Sequence, residues 1–274
     1  MRFENVEKIA AAIEASLFKN ASAQTLGMLK SQFRGSGLQF REHQIYNPGD
    51  DVRFIDWKLS AKSSKTYVKT FEEERNVEVS VYLPLDPLMS IGYYQKSKLQ
   101  VALEIVYLLF LLTDKTSDKV RLNLIHRDQF WEIPPCSGRA GIVRLINLLY
   151  RAKLMDEQGR INRYADFKIS DFSAVIKKIK KDIIKRKEVL FLAAEPTQFD
   201  LLGAVAFRQN FHYFYLQAPL DTPTSFSATV WARTNDGLAM ANAGDFKEVR
   251  DHPRVKKLLI DQKYLDQFVR HLSK

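Results

Sequence analysis

The chain has 274 residues, 46% of them apolar and 27% charged, long enough to bury a sizeable core and too hydrophobic for an intrinsically disordered protein. Its 42 Lys and Arg against 32 Asp and Glu give a formal charge of +10, a bias towards anionic partners that leaves DNA, RNA, an anionic membrane and an acidic protein surface all open. The lone cysteine, Cys136, excludes an internal disulfide and any multi-cysteine zinc or iron-sulfur site within the chain, and it fits a reducing cytosol.

At the start, Phe3, Val6, Ile9, Ala10, Ile13 and Leu17 recur at helical spacing and predict an amphipathic helix over residues 3–18. Glu4, Glu7 and Glu14 break what would have to be the apolar run of a signal peptide. Residues 34–76 show no helical period and are rich in turn formers, Arg34-Gly35-Ser36-Gly37 and Asn47-Pro48-Gly49-Asp50 above all. In the second of these, Pro48 suits position i+1 of a type II turn and Gly49 the positive φ at i+2.

From residue 77 the pattern is regular. Val77, Val79, Val81 and Leu83 alternate with Glu78, Ser80 and Tyr82, the mark of a strand ending near Asp86. Ser97 offers an N-cap to a helix reaching about Thr113. Its apolar stretch Val101–Leu112, about 12 residues with Glu104 inside it, falls short of the roughly 20 that span a bilayer and reads as a buried core helix. Strands follow near 119–126 and 129–133, helices near 140–152 and 171–186, a strand at 188–194, a helix near 200–209, a strand at 212–217 and a last helix over about 254–271. This alternation predicts an α/β fold, a largely parallel sheet with helices on both faces, preceded by an N-terminal helix and an irregular or β module. The division expected is residues 1–76 and 77–274, in a soluble cytoplasmic protein with no transmembrane segment.

In such a sheet, ligands gather beyond the carboxyl ends of the strands. Asp86 and Ser90 after one strand and Glu195 after another offer oxygen ligands suited to a hard cation such as Mg2+. The plainer reading makes Asp86 and Ser90 caps of the next turn and Glu195 a solvated acid, and strand-end acids are common whatever the function. Tyr46–Glu74 is the other dense segment. Asp50, Asp51 and Asp56 there suggest an acid or metal cluster, but no cysteine or histidine lies beside them in sequence, which favours acids paired to Arg41, Arg53 and Arg75 with Trp57 as an apolar anchor. The five histidines are scattered, and no phosphate-loop, dinucleotide or nucleophile-elbow motif occurs. Lys177, Lys178, Lys181, Lys185 and Arg186 belong to a basic stretch that, with Lys180 and Lys187 and against Asp182, carries +6 of the chain's +10 on one side of an amphipathic helix. That stretch is a solvated face or a surface for phosphate backbones or acidic proteins.

The run Gly35-Ser36-Gly37-Leu38-Gln39-Phe40, then Arg41-Glu42, Tyr46, Pro48-Gly49-Asp50-Asp51, Arg53, Ile55-Asp56-Trp57 and Ser60-Ala61-Lys62 resembles the signature of the bacterial family called domain of unknown function 58. The resemblance implies a von Willebrand factor A-like fold, in which a D-x-S-x-S loop, a threonine and a later aspartate make a metal-ion-dependent adhesion site. Asp86 matches the first acid, Ser90 the second serine, and Glu195 the later aspartate; Leu88 replaces the first serine, and no threonine stands around Gly138–Gly141. The expectation is a degenerate site that binds Mg2+ weakly or not at all, and no other cofactor. The resemblance further implies a MoxR-type AAA+ ATPase partner, an unidentified protein client and a chaperone-like role without catalysis, with the signature residues Tyr46 to Ser60 as an interaction module. Nucleic-acid or anionic-surface binding through residues 176–187 is the alternative.

Overall fold

The computed structural model describes residues 8–12, 39–72, 77–93, 96–115, 118–126, 129–162, 172–196, 198–221, 229–234, 237–242 and 252–272. A six-stranded sheet forms its centre. The strands are β3 (Glu78–Pro84), β6 (Lys119–His126), β7 (Gln129–Cys136), β8 (Glu188–Ala193), β9 (Phe211–Gln217) and β12 (Val255–Leu259), in the order β12-β9-β8-β3-β6-β7. All neighbours are parallel except β6 and β7, which pair antiparallel. Among the described residues three antiparallel pairs lie outside it: β1 (Gln39–Ile45) with β2 (Tyr67–Glu72), β4 (Gly92–Tyr93) with β5 (Lys96–Ser97), and β10 (Thr229–Thr234) with β11 (Gly237–Asn242).

The central strands are apolar on both faces because helices cover both. Leu190 and Leu192 of β8 join one core with Val79, Val81, Leu83, Leu122 and Phe214, whereas Val189, Phe191 and Ala193 join the other with Tyr82, Ile125 and Tyr213. The first core is closed by helices α1 (Lys98–Leu112), α2 (Gly138–Arg151) and α5 (Tyr264–Leu272). The second is closed by α3 (Ser173–Ile184) and the short α4 (Gln198–Leu202). Each fully buried Leu or Phe contributes about 1.5–3 kcal/mol relative to leaving it exposed.

Helix α1 is apolar on nearly every side because it is buried at Lys98, Leu99 and continuously from Val101 to Phe110. Ser97 caps it, its hydroxyl accepting from the Gln100 amide at 3.2 Å. Glu104 is accommodated by Lys96, whose ammonium lies 3.0 Å away, and by the Tyr264 hydroxyl, so the one acid in the apolar run ties α1 to α5. Where α1 meets α2, Gly141 has no room for a side chain, since a Cβ there would run into the Phe110 ring. On the second face, the buried Asp182 of α3 accepts from the Tyr82 hydroxyl of β3 at 2.8 Å.

Two expectations need correction. The helix over 254–271 is instead β12 followed by α5: apolar residues at 255, 258, 259, 265 and 269 sustain a helical period by coincidence, while the open side of β9 takes Val255–Leu259 in register, Val255 opposite Tyr213. The helix near 200–209 is α4 followed by a 3-10 turn, Gly203–Phe207. Within residues 34–76, expected to form an irregular or β module, β1 and β2 pair from Gln39 opposite Glu72 to Ile45 opposite Tyr67. Of the N-terminal helix, residues 8–12 are helical with Ala10 buried; residues 3–7 and 13–18, like the turn at Arg34–Gly37, lie outside the described residues. Among the described residues no helix is long and apolar enough to cross a membrane.

Candidate functional site

The loop between β1 and β2 holds the signature residues, and nearly every polar one is occupied locally. Tyr46 bonds Thr66 through its backbone N–H. The turn at Asn47–Asp50 closes as expected, with Gly49 at φ +115°, the Asp50 N–H on the Asn47 carbonyl at 3.0 Å and the Asp50 carboxylate on the Asn47 N–H at 2.8 Å. Asp51 caps the 3-10 turn Val52–Phe54 and grips Arg53 through both oxygens; that guanidinium holds its carboxyl at about 2. Asp56 caps the helical turn Trp57–Ser60, accepting from the Leu59 N–H at 3.0 Å, and meets His43 at 3.1 Å and Lys69 at 3.2 Å. The Leu59 N–H first and His43 second hold it well below the usual carboxylate range. The Ser60 hydroxyl accepts from the Tyr67 N–H at 2.9 Å. Asp50, Asp51 and Asp56 thus organise backbone, each with its own partner; Arg53 is the cation expected, while the side chains of Arg41 and Arg75, and all of Glu73 and Glu74, lie outside the description. Trp57 is not a buried anchor: it is 70% exposed, with Val52 58% and Ile45 47% exposed in the same module.

The second concentration lies beyond the carboxyl ends of β3, β8 and β9, three adjacent parallel strands. Asp86 follows β3, buried, and caps the 3-10 turn Pro87–Ser90: one oxygen accepts from the Leu88 N–H at 2.8 Å, the other from the Gln198 side-chain amide at 2.6 Å. Burial pushes its carboxyl up to about 6, with the Gln198 bond pulling down and the charge of Glu195 adding to the rise. Ser90 is exposed and its hydroxyl donates to the Pro87 carbonyl. After β8, the Tyr213 hydroxyl donates to the main-chain carbonyl of Glu195 at 2.5 Å. After β9, Asp221 accepts from the Ala218 N–H at 2.7 Å.

Sequence reasoning missed the residue that joins these ends. Lys98, in the first turn of α1, is 0% exposed; its ammonium donates to the Ala194 carbonyl at 2.6 Å, meets Asp221 at 2.6 Å and lies 5.5 Å from the centre of the Tyr215 ring. The signal was available: a lysine directly after an N-cap opposes the helix dipole. Burial lowers its pKa, and Asp221 first, then Asp86 and Glu195, hold the charge in place.

The crevice does not fit Mg2+. Such an ion needs near-octahedral oxygen ligands. Both Asp86 oxygens are taken, Ser90 is turned to its own loop, Leu88 offers nothing, and a fixed positive charge already faces the acids. Among the described residues no three His, Cys, Asp or Glu side chains are placed to share a metal.

The basic helix is less uniform than its sequence. Lys178 is neutralised by Glu132 at 2.7 Å and lies over the Phe130 ring; Lys187 pairs with Glu78 and Asp182; Arg121 pairs with Glu78 and Glu132. Lys177, Lys181 and Lys185 face the same groove as Phe130. Arg186 is exposed beyond the helix end, at φ +56°.

The sequence profile of a family described as a protein of unknown function, DUF58, matches residues 41–192, from β1 through β8. Uncharacterized proteins of Mycobacterium bovis and Mycobacterium tuberculosis are 22% identical to this chain over 105 residues, 38% of its length and 33% of theirs. The chain therefore spans about a third of the curated relatives it matches. With the signature loop and strands β2 to β8 inside a match covering more than half of its length, this chain belongs to the DUF58 family.

Proposed function

We propose that this chain is a non-enzymatic interaction protein with a von Willebrand A-like sheet domain, an adaptor that works with a MoxR-type AAA+ ATPase in the chaperone-like maturation or assembly of a protein client. One observation carries the reading: the signature loop spends its polar groups on holding its own shape and turns Trp57 and Val52 outward, beside the exposed Ile45 at the end of β1. Exposed aromatic and aliphatic side chains on a braced loop are what a protein interface needs, because rigid anchors lose little entropy on docking. The polar chemistry at the strand ends is likewise internal, with carboxylates on amides and an ammonium on a carbonyl. The ATPase itself comes from the resemblance.

A second reading, binding to a phosphate backbone or anionic surface, is favoured by Lys177, Lys181 and Lys185, which form no ion pair among the described residues and line one groove. One experiment separates the two. Capture of a purified MoxR-type AAA+ ATPase is measured with Trp57→Ala and Val52→Asp, and DNA retention with charge reversal at Lys177, Lys181 and Lys185. Under the adaptor reading the loop variants weaken capture by about tenfold or more without changing the melting temperature, and the lysine variants leave it intact. Capture indifferent to the loop, or salt-sensitive DNA binding lost on charge reversal, overturns it.

A further inference from the structure

The crevice at the strand ends gathers three carboxylates, Asp86, Glu195 and Asp221, around one buried ammonium, that of Lys98. A lysine is costly there. It is taken wholly out of water, and it stands at the helix end where the backbone dipole favours anions. Its two contacts, the Ala194 carbonyl and the Asp221 carboxylate at 2.6 Å each, are oxygen ligands of the kind that coordinate a small cation, and they come from the ends of β8 and β9. Tyr215 adds its ring face to the ammonium, a further cation-attracting surface. Asp86, at the end of β3, adds charge without touching. The arrangement is thus a cation site by its donors, formed from three strands.

We propose that Lys98 is the resident cation of this site: its ammonium fills the position that a bound ion would take, making the junction of β3, β8, β9 and α1 independent of metal. The inference is separate from the adaptor reading and stands or falls on the strand ends alone. Its consequence is that truncating the lysine exposes a latent site for a free cation. Lys98→Ala removes a propylammonium-sized fragment and leaves Asp221, the Ala194 carbonyl and the Tyr215 ring behind.

The test is thermal unfolding of the full chain and of Lys98→Ala, with propylammonium chloride or MgCl2 at about 10 mM against choline chloride of equal ionic strength. The wild-type protein is expected to ignore both cations. Lys98→Ala is expected to melt lower by several degrees and to regain about 3 °C or more with propylammonium, Mg2+ or both, and the gain is expected to vanish in Lys98→Ala/Asp221→Ala. If Lys98→Ala does not fold in plain buffer, the same readout is folded protein recovered on refolding with each cation. The proposal is overturned if Mg2+ stabilises the wild-type protein, if Lys98→Ala responds to neither cation, or if its response survives loss of Asp221.

Discussion

Asp51 and Asp86 are the same residue in opposite circumstances. In the signature loop the acids sit at the surface and receive guanidinium, ammonium or backbone N–H partners, so that Asp51 is held at about 2. At the strand ends burial outweighs partners and Asp86 is pushed up to about 6. The loop shapes itself by making charge comfortable, and the crevice keeps charge under tension around one internal counter-ion. Sequence shows acids clustered in both places and cannot separate them, because the distinction lies in what surrounds each side chain.

The sharpest way to break the comparison is to unpair the buried charge. Asp221→Ala leaves the Lys98 ammonium with a carbonyl and a ring but no touching carboxylate, and is expected to destabilise by about 3–5 kcal/mol in urea unfolding at neutral pH. Next comes Asp86→Asn, which keeps the shape and removes the charge; Gln198 has an unpartnered amide oxygen ready to accept from the new side chain. A carboxyl with a raised folded pKa favours the native state most when protonated, below its unfolded value of 3.8, and that contribution is lost as pH rises through about 6. At about 1.4 kcal/mol per pKa unit, the substitution is expected to stabilise by up to about 3 kcal/mol near pH 7.5. The advantage closes as both proteins are brought towards pH 4, even with Glu195, Lys98 and Tyr213 facing the group. A variant equally stable at both pH values would show that Asp86 is not under tension. The smallest effect belongs to Asp51→Asn. Its pH dependence has the opposite sign, present above the unfolded value and lost as pH falls through about 2, and its exposure lets salt screen it, so the change is expected to lie near the error of a urea titration.

What could be read from sequence was what depends on neighbours along the chain. The alternation from Val77, the Ser97 cap and the apolar residues of the strand predicted at 188–194 each announce their element, because burial on one or both faces imposes a period on consecutive residues. The turn at Asn47–Asp50 was legible for the same local reason. The β1–β2 ladder was not: its strands are separated by the whole signature loop, and β1 is polar enough to pass for loop. Strand β12 was lost because its spacing also satisfies a helix. Lys98 escaped because a lysine at a helix start ordinarily reaches back to water, and only the meeting of three strand ends above it explains why this one does not.

Among the described residues the order β12-β9-β8-β3-β6-β7 ends in two unlike margins. On one side β7 carries Pro134 and Pro135, which have no N–H to offer a further strand; on the other β12 carries Lys256 and Lys257, the charged side chains that discourage strand addition. Growth of the sheet by an incoming strand is thus disfavoured at both ends. Copies of this chain brought to high local concentration would resist stacking edge to edge along the sheet.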